Sequence, residues 1–93
     1  MRIRARLGAM IGDRVVSAEG SVEMKDGALL RDFFKNADLQ LGFKKEKPFR
    51  KAARLAPPPT VLLNGDRLDF PAGLKTILRE GDEITVLTPM MGG

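Results

Sequence analysis

The 93-residue sequence contains no cysteine, histidine, tyrosine or tryptophan. The lack of cysteine excludes disulfides, thiolate metal sites and cysteine nucleophiles. The lack of histidine removes the side chain best suited to proton transfer near neutral pH, and the lack of tyrosine and tryptophan removes the best platforms for stacking bases. An enzyme that acts alone is therefore a poor hypothesis. Three hypotheses remain: a binding module, a structural protein, or a chain whose backbone carries the chemistry.

Long hydrophobic runs are also missing. A secretory signal needs a run of roughly 7–15 apolar residues, and a membrane-spanning helix needs about 20. The sequence from Met1 to Leu7 instead alternates charged and apolar residues. We therefore expect a soluble, cytoplasmic protein with no membrane partner.

The composition indicates one small globular domain, because 43% of the residues are hydrophobic and 30% carry charges of mixed sign. The formal net charge is +4, and most of the basic excess lies in residues 44–54, interrupted only by Glu46. Such a cluster is typical of a solvated face, although it could also contact phosphates. Only Phe43 and Phe49 could offer nucleic-acid bases a stacking surface, so nucleic acid is the least favoured partner.

The N-terminal half predicts two strands. Apolar and basic residues alternate from Arg2 to Leu7, which is typical of a half-buried strand. A turn at Gly12–Asp13 leads to a second strand within Val15–Met24. Gly20 inside that strand predicts a bulge or a break.

An amphipathic helix of about three turns follows. Asp26 is predicted to cap it, since its carboxylate can accept the free backbone N–H groups of the first turn. Residues 36–59 are expected to form a variable connection with a short helix at Phe49–Leu55, ended by Pro57–Pro59. The apolar face of the main helix consists of Leu29, Leu30, Phe33, Phe34 and Ala37.

The C-terminal third predicts a hairpin and a last strand. Val61–Leu63 and Arg67–Phe70 flank Asn64–Gly65, the dipeptide that tight hairpins prefer. A short apolar turn and a bend at Gly81–Asp82 then precede the strongly β-prone run Glu83–Leu87.

The order of elements predicts an α+β domain in two layers, with a mixed sheet of four to five strands packed on one main helix. The first and last strands are expected to pair in the centre of the sheet. We assign residues 1–87 to this domain, with a variable basic insertion at 44–59. Residues 88–93 are assigned to a flexible tail, because Pro89 cannot donate a ladder hydrogen bond and the chain should leave the sheet near Thr88.

Three motifs carry a family resemblance: Val61–Gly65 (VLLNG), Glu80–Ile84 (EGDEI) and the final Gly92–Gly93. With the helix start at Gly27–Phe34, they resemble the MoaD/ThiS family of sulfur-carrier proteins, and the length and ending are closer to MoaD, the small subunit of molybdopterin synthase, than to ThiS. The resemblance implies the β-grasp fold of ubiquitin, with a flexible Gly-Gly tail.

The resemblance also implies a reaction. A ubiquitin-activating-like adenylyltransferase (MoeB/ThiF-like) adenylates the carboxylate of Gly93, which sulfur transfer converts to a thiocarboxylate. The partner enzymes use ATP and a sulfur donor, so that this chain binds no cofactor and no metal. The large subunit of molybdopterin synthase, or another sulfur-accepting enzyme, is the second partner. The tail residues expected to contact these partners are Leu87, Thr88, Pro89, Met90, Met91 and Gly92.

Other functions share the same terminus. The sulfur could serve thiazole, cysteine or methionine synthesis or tRNA thiolation, and a ubiquitin-like modifier would join Gly93 to lysines of other proteins. A nucleic-acid-binding module that uses the basic segment is the third hypothesis. The expected partner surface is the sheet face near the tail, with Leu87, Leu63 and Phe70 as candidates that could equally belong to the core.

Overall fold

Five strands and two α-helices follow one another along residues 1–88, the part of the chain that the structure, a computed structural model, describes. The predicted tail residues Pro89, Met90, Met91, Gly92 and Gly93 lie outside this range. The elements are β1 (Arg2–Ile11), β2 (Arg14–Glu23), α1 (Leu30–Gln40), α2 (Pro48–Ala53), β3 (Thr60–Leu63), β4 (Asp66–Leu68), a 3-10 helix (Ala72–Lys75) and β5 (Glu83–Leu87). Within residues 1–88, each helix is too short or too polar to cross a membrane.

The strands form one mixed sheet in the order β2-β1-β5-β3-β4. β1 pairs antiparallel with β2 and parallel with β5, and β3 pairs antiparallel with both β5 and β4. The predicted pairing of the first and last strands is therefore confirmed. A five-stranded mixed sheet with one main helix also confirms the α+β prediction and has the strand order of a β-grasp sheet.

The core lies between one face of the sheet and the two helices. Alternate residues of β1 point into it, as the period of two in the sequence predicts. The predicted apolar face of α1 is confirmed, although Leu29 is only half-buried. The fully or almost fully buried apolar side chains include Ile3, Ala5, Leu7, Ala9, Val22, Leu30, Phe33, Phe34, Ala37, Phe49, Val61, Ile84 and Val86.

The motifs behind the family resemblance meet at the start of β5. Asn64 and Gly65 have φ angles of 52° and 86°, as a tight hairpin turn between β3 and β4 requires. The Asn64 side chain accepts a hydrogen bond from the Glu83 N–H (2.9 Å) and donates one to Asp82 Oδ1 (2.9 Å). The hairpin motif and the Gly-Asp-Glu motif therefore stabilise each other.

The prediction of a bulge or break at Gly20 is wrong. The β1–β2 register runs without interruption from Arg2 opposite Glu23 to Ile11 opposite Arg14. A Cβ atom at Gly20 would lie only 2.5 Å from Leu41 Cδ2. The glycine therefore makes room for the residue that follows α1, a close approach that the local sequence does not reveal.

The predicted cap at Asp26 is also wrong. Helix α1 begins at Leu30, and Asp32 accepts a hydrogen bond from the Leu29 N–H (3.2 Å), while the Asp26 side chain is 96% exposed. An isolated β-bridge joins Leu29 to Ile77, and it keeps Leu29 extended. This long-range contact moves the start of the helix past the position that Asp26 could cap.

The predicted short helix in the basic insertion is confirmed as α2, and it belongs to the core. Phe49 is fully buried and its ring packs edge-on against Phe33, with a centroid distance of 5.7 Å. Pro48 and Ala52 are buried beside it. Phe49 therefore cannot stack on nucleic-acid bases, as one hypothesis for the basic segment supposed.

The carboxylate of Asp38 holds α2 against α1. Asp38 is fully buried, and its oxygens accept hydrogen bonds from the Phe49 N–H (2.8 Å), the Arg50 N–H (3.1 Å) and Arg50 Nε (3.2 Å). The two backbone donors belong to the first turn of α2, where a helix has no internal acceptors. Asp38 therefore caps a helix that begins ten residues later.

Substitution Asp38→Asn tests this cap. The amide nitrogen would face donors of Arg50, and we expect the free energy of unfolding to fall by about 2 kcal/mol because a buried charge-assisted bond is replaced by opposed donors. Urea denaturation measures the change. The matched control Asp13→Asn alters an exposed carboxylate in the turn between β1 and β2, and we expect its denaturation midpoint to stay unchanged. Equal losses in both variants would contradict the assigned role.

Candidate functional site

The helices cover one face of the sheet, and the other face, here called the open face, has two parts. The part on the side of the first residues of β1 carries a ladder of ion pairs across neighbouring strands. Such exposed pairs contribute little to stability, but they compensate the arginines of β1. The pairs are Arg2–Glu23 (3.2 Å), Arg4–Glu83 (3.8 Å) and Arg6–Glu19 (3.8 Å).

The other part of the open face lies at the end of β5 and is apolar. We call Met10, Val15, Leu62 and Leu87 the apolar patch. Val15 is 61% exposed and Leu87 is 40% exposed, while Met10 and Leu62 are half-buried. Exposed aliphatic side chains that share one sheet face are typical of a protein-interaction surface.

A glycine shapes this part of the face. Gly8 of β1 lies opposite Leu87, and a Cβ atom at Gly8 would be 3.3 Å from Leu87 Cδ2. Leu87 can therefore lie over the Gly8 backbone. A shallow hollow of about 440 Å³ beside it is lined by Arg6, Ser17, Thr85 and Leu87, among others.

Thr88, the residue after β5, forms two hydrogen bonds with β1. The Thr88 N–H donates to the Gly8 carbonyl (3.0 Å), and Thr88 Oγ1 accepts from the Met10 N–H (2.7 Å). Thr88 is only 5% exposed. The tail was predicted to begin at Thr88, but these two bonds place that residue in the folded body.

The three residues predicted to form a partner surface, Leu87, Leu63 and Phe70, lie in different environments. Leu87 lies on the open face, whereas Leu63 pairs with buried Ile84 and packs against the core. Phe70 also packs against the core, with its ring edge-on to Phe34 at 5.8 Å. Leu63 and Phe70 therefore belong to the margin of the core, Leu63 through its position in β3 and Phe70 through its aromatic contact with Phe34 of α1.

The sequence did not reveal two parts of this site. The hydroxyl of Thr88 gave no signal, since its partner is a backbone N–H almost eighty residues away. Val15 is next to another valine, and only the register with Met10 assigns it to the open face. Within residues 1–88 no group of three or more acidic side chains is placed to hold a metal ion.

The sheet order, the single main helix and the open face together define a ubiquitin-like β-grasp protein. The crystal structure of SAMP1 from Haloferax volcanii superimposes with a TM-score of 0.65 at 22% identity, over the full length of both chains. Subunits 1 and 2 of the molybdopterin-converting factor of Helicobacter pylori 26695 have been solved as a complex, and one chain of it gives a TM-score of 0.52 at 22% identity, again over both full lengths. These likenesses establish the fold.

Sequence comparison establishes the family. The profile of the ThiS family matches residues 13–93, and the chain belongs to that family. It is 30% identical over 95 residues to an Archaeoglobus fulgidus protein named "Putative sulfur carrier protein", with full coverage of both chains. The family resemblance found in the motifs is therefore confirmed.

Substitution Thr88→Val tests how Thr88 is fastened. Valine keeps the shape but leaves the partly buried Met10 N–H without an acceptor, and we expect a loss of about 1–2 kcal/mol in the free energy of unfolding. Amide hydrogen exchange should show faster exchange at Met10. Thr88→Ser retains the hydroxyl and should preserve the protection. Equally slow exchange of Met10 in the valine variant would mean that the hydroxyl does not hold this strand end.

Proposed function

We propose that this chain is a sulfur-carrier protein whose reactive group is the carboxylate of Gly93. The observation that carries the proposal is that a Gly-Gly motif follows the central strand β5 at a short distance in a chain of the ThiS family. Two residues without side chains can enter a channel too narrow for any other pair. The chain acts as a cosubstrate of its partner enzymes rather than as a catalyst.

The proposed chemistry takes place on the backbone. A carboxylate is a poor electrophile, so a MoeB/ThiF-like adenylyltransferase first joins Gly93 to the α-phosphate of ATP and releases pyrophosphate. Attack of hydrosulfide on the acyl carbon then displaces AMP and leaves a thiocarboxylate; when the donor is a persulfide, the attack gives an acyl disulfide, and a second thiol cleaves its S–S bond to release the thiocarboxylate as the donor leaves in a disulfide. The partner supplies ATP and the sulfur donor, and this chain supplies the acyl group.

The short length of chain after Thr88 limits how far the terminus can reach from the folded body. From Thr88 onward, five residues span at most about 17 Å at roughly 3.3 Å each. A partner's active site must therefore lie within that distance of the end of β5. The apolar patch is the surface beside that end, and we assign to it the contact with the partner.

We further propose that the sulfur serves molybdopterin synthesis, with the large subunit of molybdopterin synthase as the second partner. The likeness to a chain from the H. pylori complex of molybdopterin-converting factor subunits 1 and 2 supports this assignment, as does the MoaD-like ending of the sequence. Thiazole synthesis, amino-acid synthesis and tRNA thiolation are the alternative destinations. Transfer of sulfur to a molybdopterin precursor in the presence of the large subunit distinguishes them.

Intact-mass spectrometry tests the carrier function. The chain is incubated with an adenylyltransferase of this family, ATP and a sulfur donor, and we expect the mass gain of one oxygen-to-sulfur exchange at Gly93. A chain without Gly93 should fold normally and show no gain. If the intact chain shows no gain, and Gly-Gly remnants are found on lysines of other proteins instead, the ubiquitin-like modifier is the correct function.

Substitution Leu87→Ser tests the apolar patch. We expect the KM for the carrier in the adenylation reaction to rise about tenfold, because binding no longer buries the leucine side chain. The matched control is Leu39→Ser, since Leu39 is 43% exposed but lies on α1, away from the open face. Denaturation of both variants separates a loss of stability from a loss of binding. A similar rise in KM for both would remove the patch from the interface.

A further inference from the structure

The basic segment has no role in the proposed chemistry, and the structure gives it a defined shape. Residues 44–54 hold six of the 16 Lys and Arg residues and only one of the 12 Asp and Glu residues, a net charge of +5. The remaining ten cations and eleven acids leave the rest of the chain at −1. The positive charge of the protein is therefore concentrated in and around α2.

Five of these cations are presented to solvent, and we call them the α2 basic surface. They are exposed, and none forms an ion pair with another residue of 1–88. Arg50 is different, because Asp38 compensates its charge at 3.2 Å. The α2 basic surface consists of Lys44, Lys45, Lys47, Lys51 and Arg54.

The backbone that carries this surface is anchored to the core. Phe49 is fully buried, and Asp38 caps the first turn of α2 from α1. The segment therefore needs little ordering when a partner binds, which lowers the entropic cost of association.

Lys47 occupies an unusual conformation within this surface. Its φ angle of 51° lies in the left-handed region, which glycine and asparagine adopt at lower cost. Two backbone hydrogen bonds hold it, from the Lys47 N–H to the Phe43 carbonyl (2.9 Å) and from the Lys51 N–H to the Lys47 carbonyl (2.9 Å).

The chemistry of the surface favours an acidic protein over a nucleic acid. Phe49 is buried and Phe43 is half-buried, so neither ring lies open for a base to stack on. Four of the five cations are lysines, point charges on flexible stems that steer association from the rim of an interface and do not fix one bidentate geometry on either phosphate or carboxylate. The burial of the two rings therefore carries the preference for a protein partner.

The position of α2 connects this surface to the carrier tail. Helix α2 packs against β1 and β5 on the helical side of the sheet. These are the two strands between which Thr88 is fastened. α2 and the apolar patch therefore lie on opposite faces of the same two strands, in a domain whose shortest extent is 18 Å, so that a partner larger than this domain can contact both when it receives the tail.

We propose that the α2 basic surface docks an acidic patch on the protein that activates the tail, and that it steers the approach of the carrier. The proposal rests on the proposed function, since that function supplies the partner. Attraction of this kind raises the association rate and weakens as salt screens it. The paired charges of the open face contribute little to this attraction.

Two variants with the same net charge test the proposal. Lys44, Lys45, Lys51 and Arg54 are changed to Gln in the first variant, and Arg14, Lys25, Lys75 and Arg79 in the control. Each lowers the formal charge from +4 to 0. Lys47 is left in place so that its backbone conformation is not altered.

The association rate of each variant with the adenylyltransferase is measured by stopped flow at low and high salt. We expect the first variant to bind about tenfold more slowly at low salt and to lose most of the salt dependence, while the control changes less than twofold. Equal effects in both variants would mean that net charge alone matters, and unchanged rates would mean that the surface is not used. Either result would overturn the proposal.

A nucleic-acid partner is tested in parallel. If the wild-type chain binds a short duplex RNA more tightly than it binds the enzyme, and only the first variant loses that binding, the surface serves RNA and the proposal is wrong. The proposed function fails separately. Its failure would appear as the absence of a sulfur mass gain in the wild-type chain, whereas a normal gain with unchanged association in the first variant would count only against the basic surface.

Discussion

The parallel pairing of β1 with β5 is the contact around which the rest of the molecule is arranged. It joins residues about eighty positions apart and brings the first and last strands together at the centre of the sheet. β2 and β3 add to its two sides, and α2 packs against both strands. Because Thr88 continues the pairing, the last described residue lies at the centre of the sheet, beside the apolar patch, instead of at a strand edge. The proposed contact of a partner with this patch depends on that central position.

The charged residues are distributed in a way that matches this arrangement. On the open face the arginines of β1 alternate with acids from neighbouring strands, so that this face is close to neutral and is apolar where the chain exits. On the helical side one buried carboxylate, Asp38, fixes α2 and compensates Arg50. The remaining cations around α2 are left uncompensated. The protein therefore offers a partner an apolar surface on one side and a basic surface on the other.

The proposed carrier function accounts for the lack of cysteine, histidine, tyrosine and tryptophan in this chain. The proposed adenylation and sulfur transfer at Gly93 would need an accessible backbone carboxylate and a body that a partner can recognise. Neither needs a histidine, a cysteine or a stacking aromatic ring in this chain. The defined geometry lies in the body, where the Asn64 side chain joins the hairpin to the start of β5 through two hydrogen bonds.

Local patterns in the sequence determined several elements without help from the rest of the chain. The alternation in β1 indicated its two faces, and Asn64–Gly65 specified a hairpin because both residues tolerate positive φ. The spacing of Phe33, Phe34 and Ala37 specified the buried face of α1. These predictions succeeded because periodicity and turn chemistry act over a few residues.

Only the tertiary structure decided the features that depend on distant partners. The bridge from Leu29 to Ile77 set the start of α1 where Asp26 had been expected to cap it. The side chain of Leu41 occupies the space that a Cβ atom at position 20 would need, which accounts for the glycine there. The packing of Phe49 on Phe33 makes the short helix of the basic insertion part of the core. Thr88 joined the folded body through the Met10 N–H. In each case the deciding contact lies far along the chain, and local propensity contains no information about which distant group will fill, bridge or bond to a given residue.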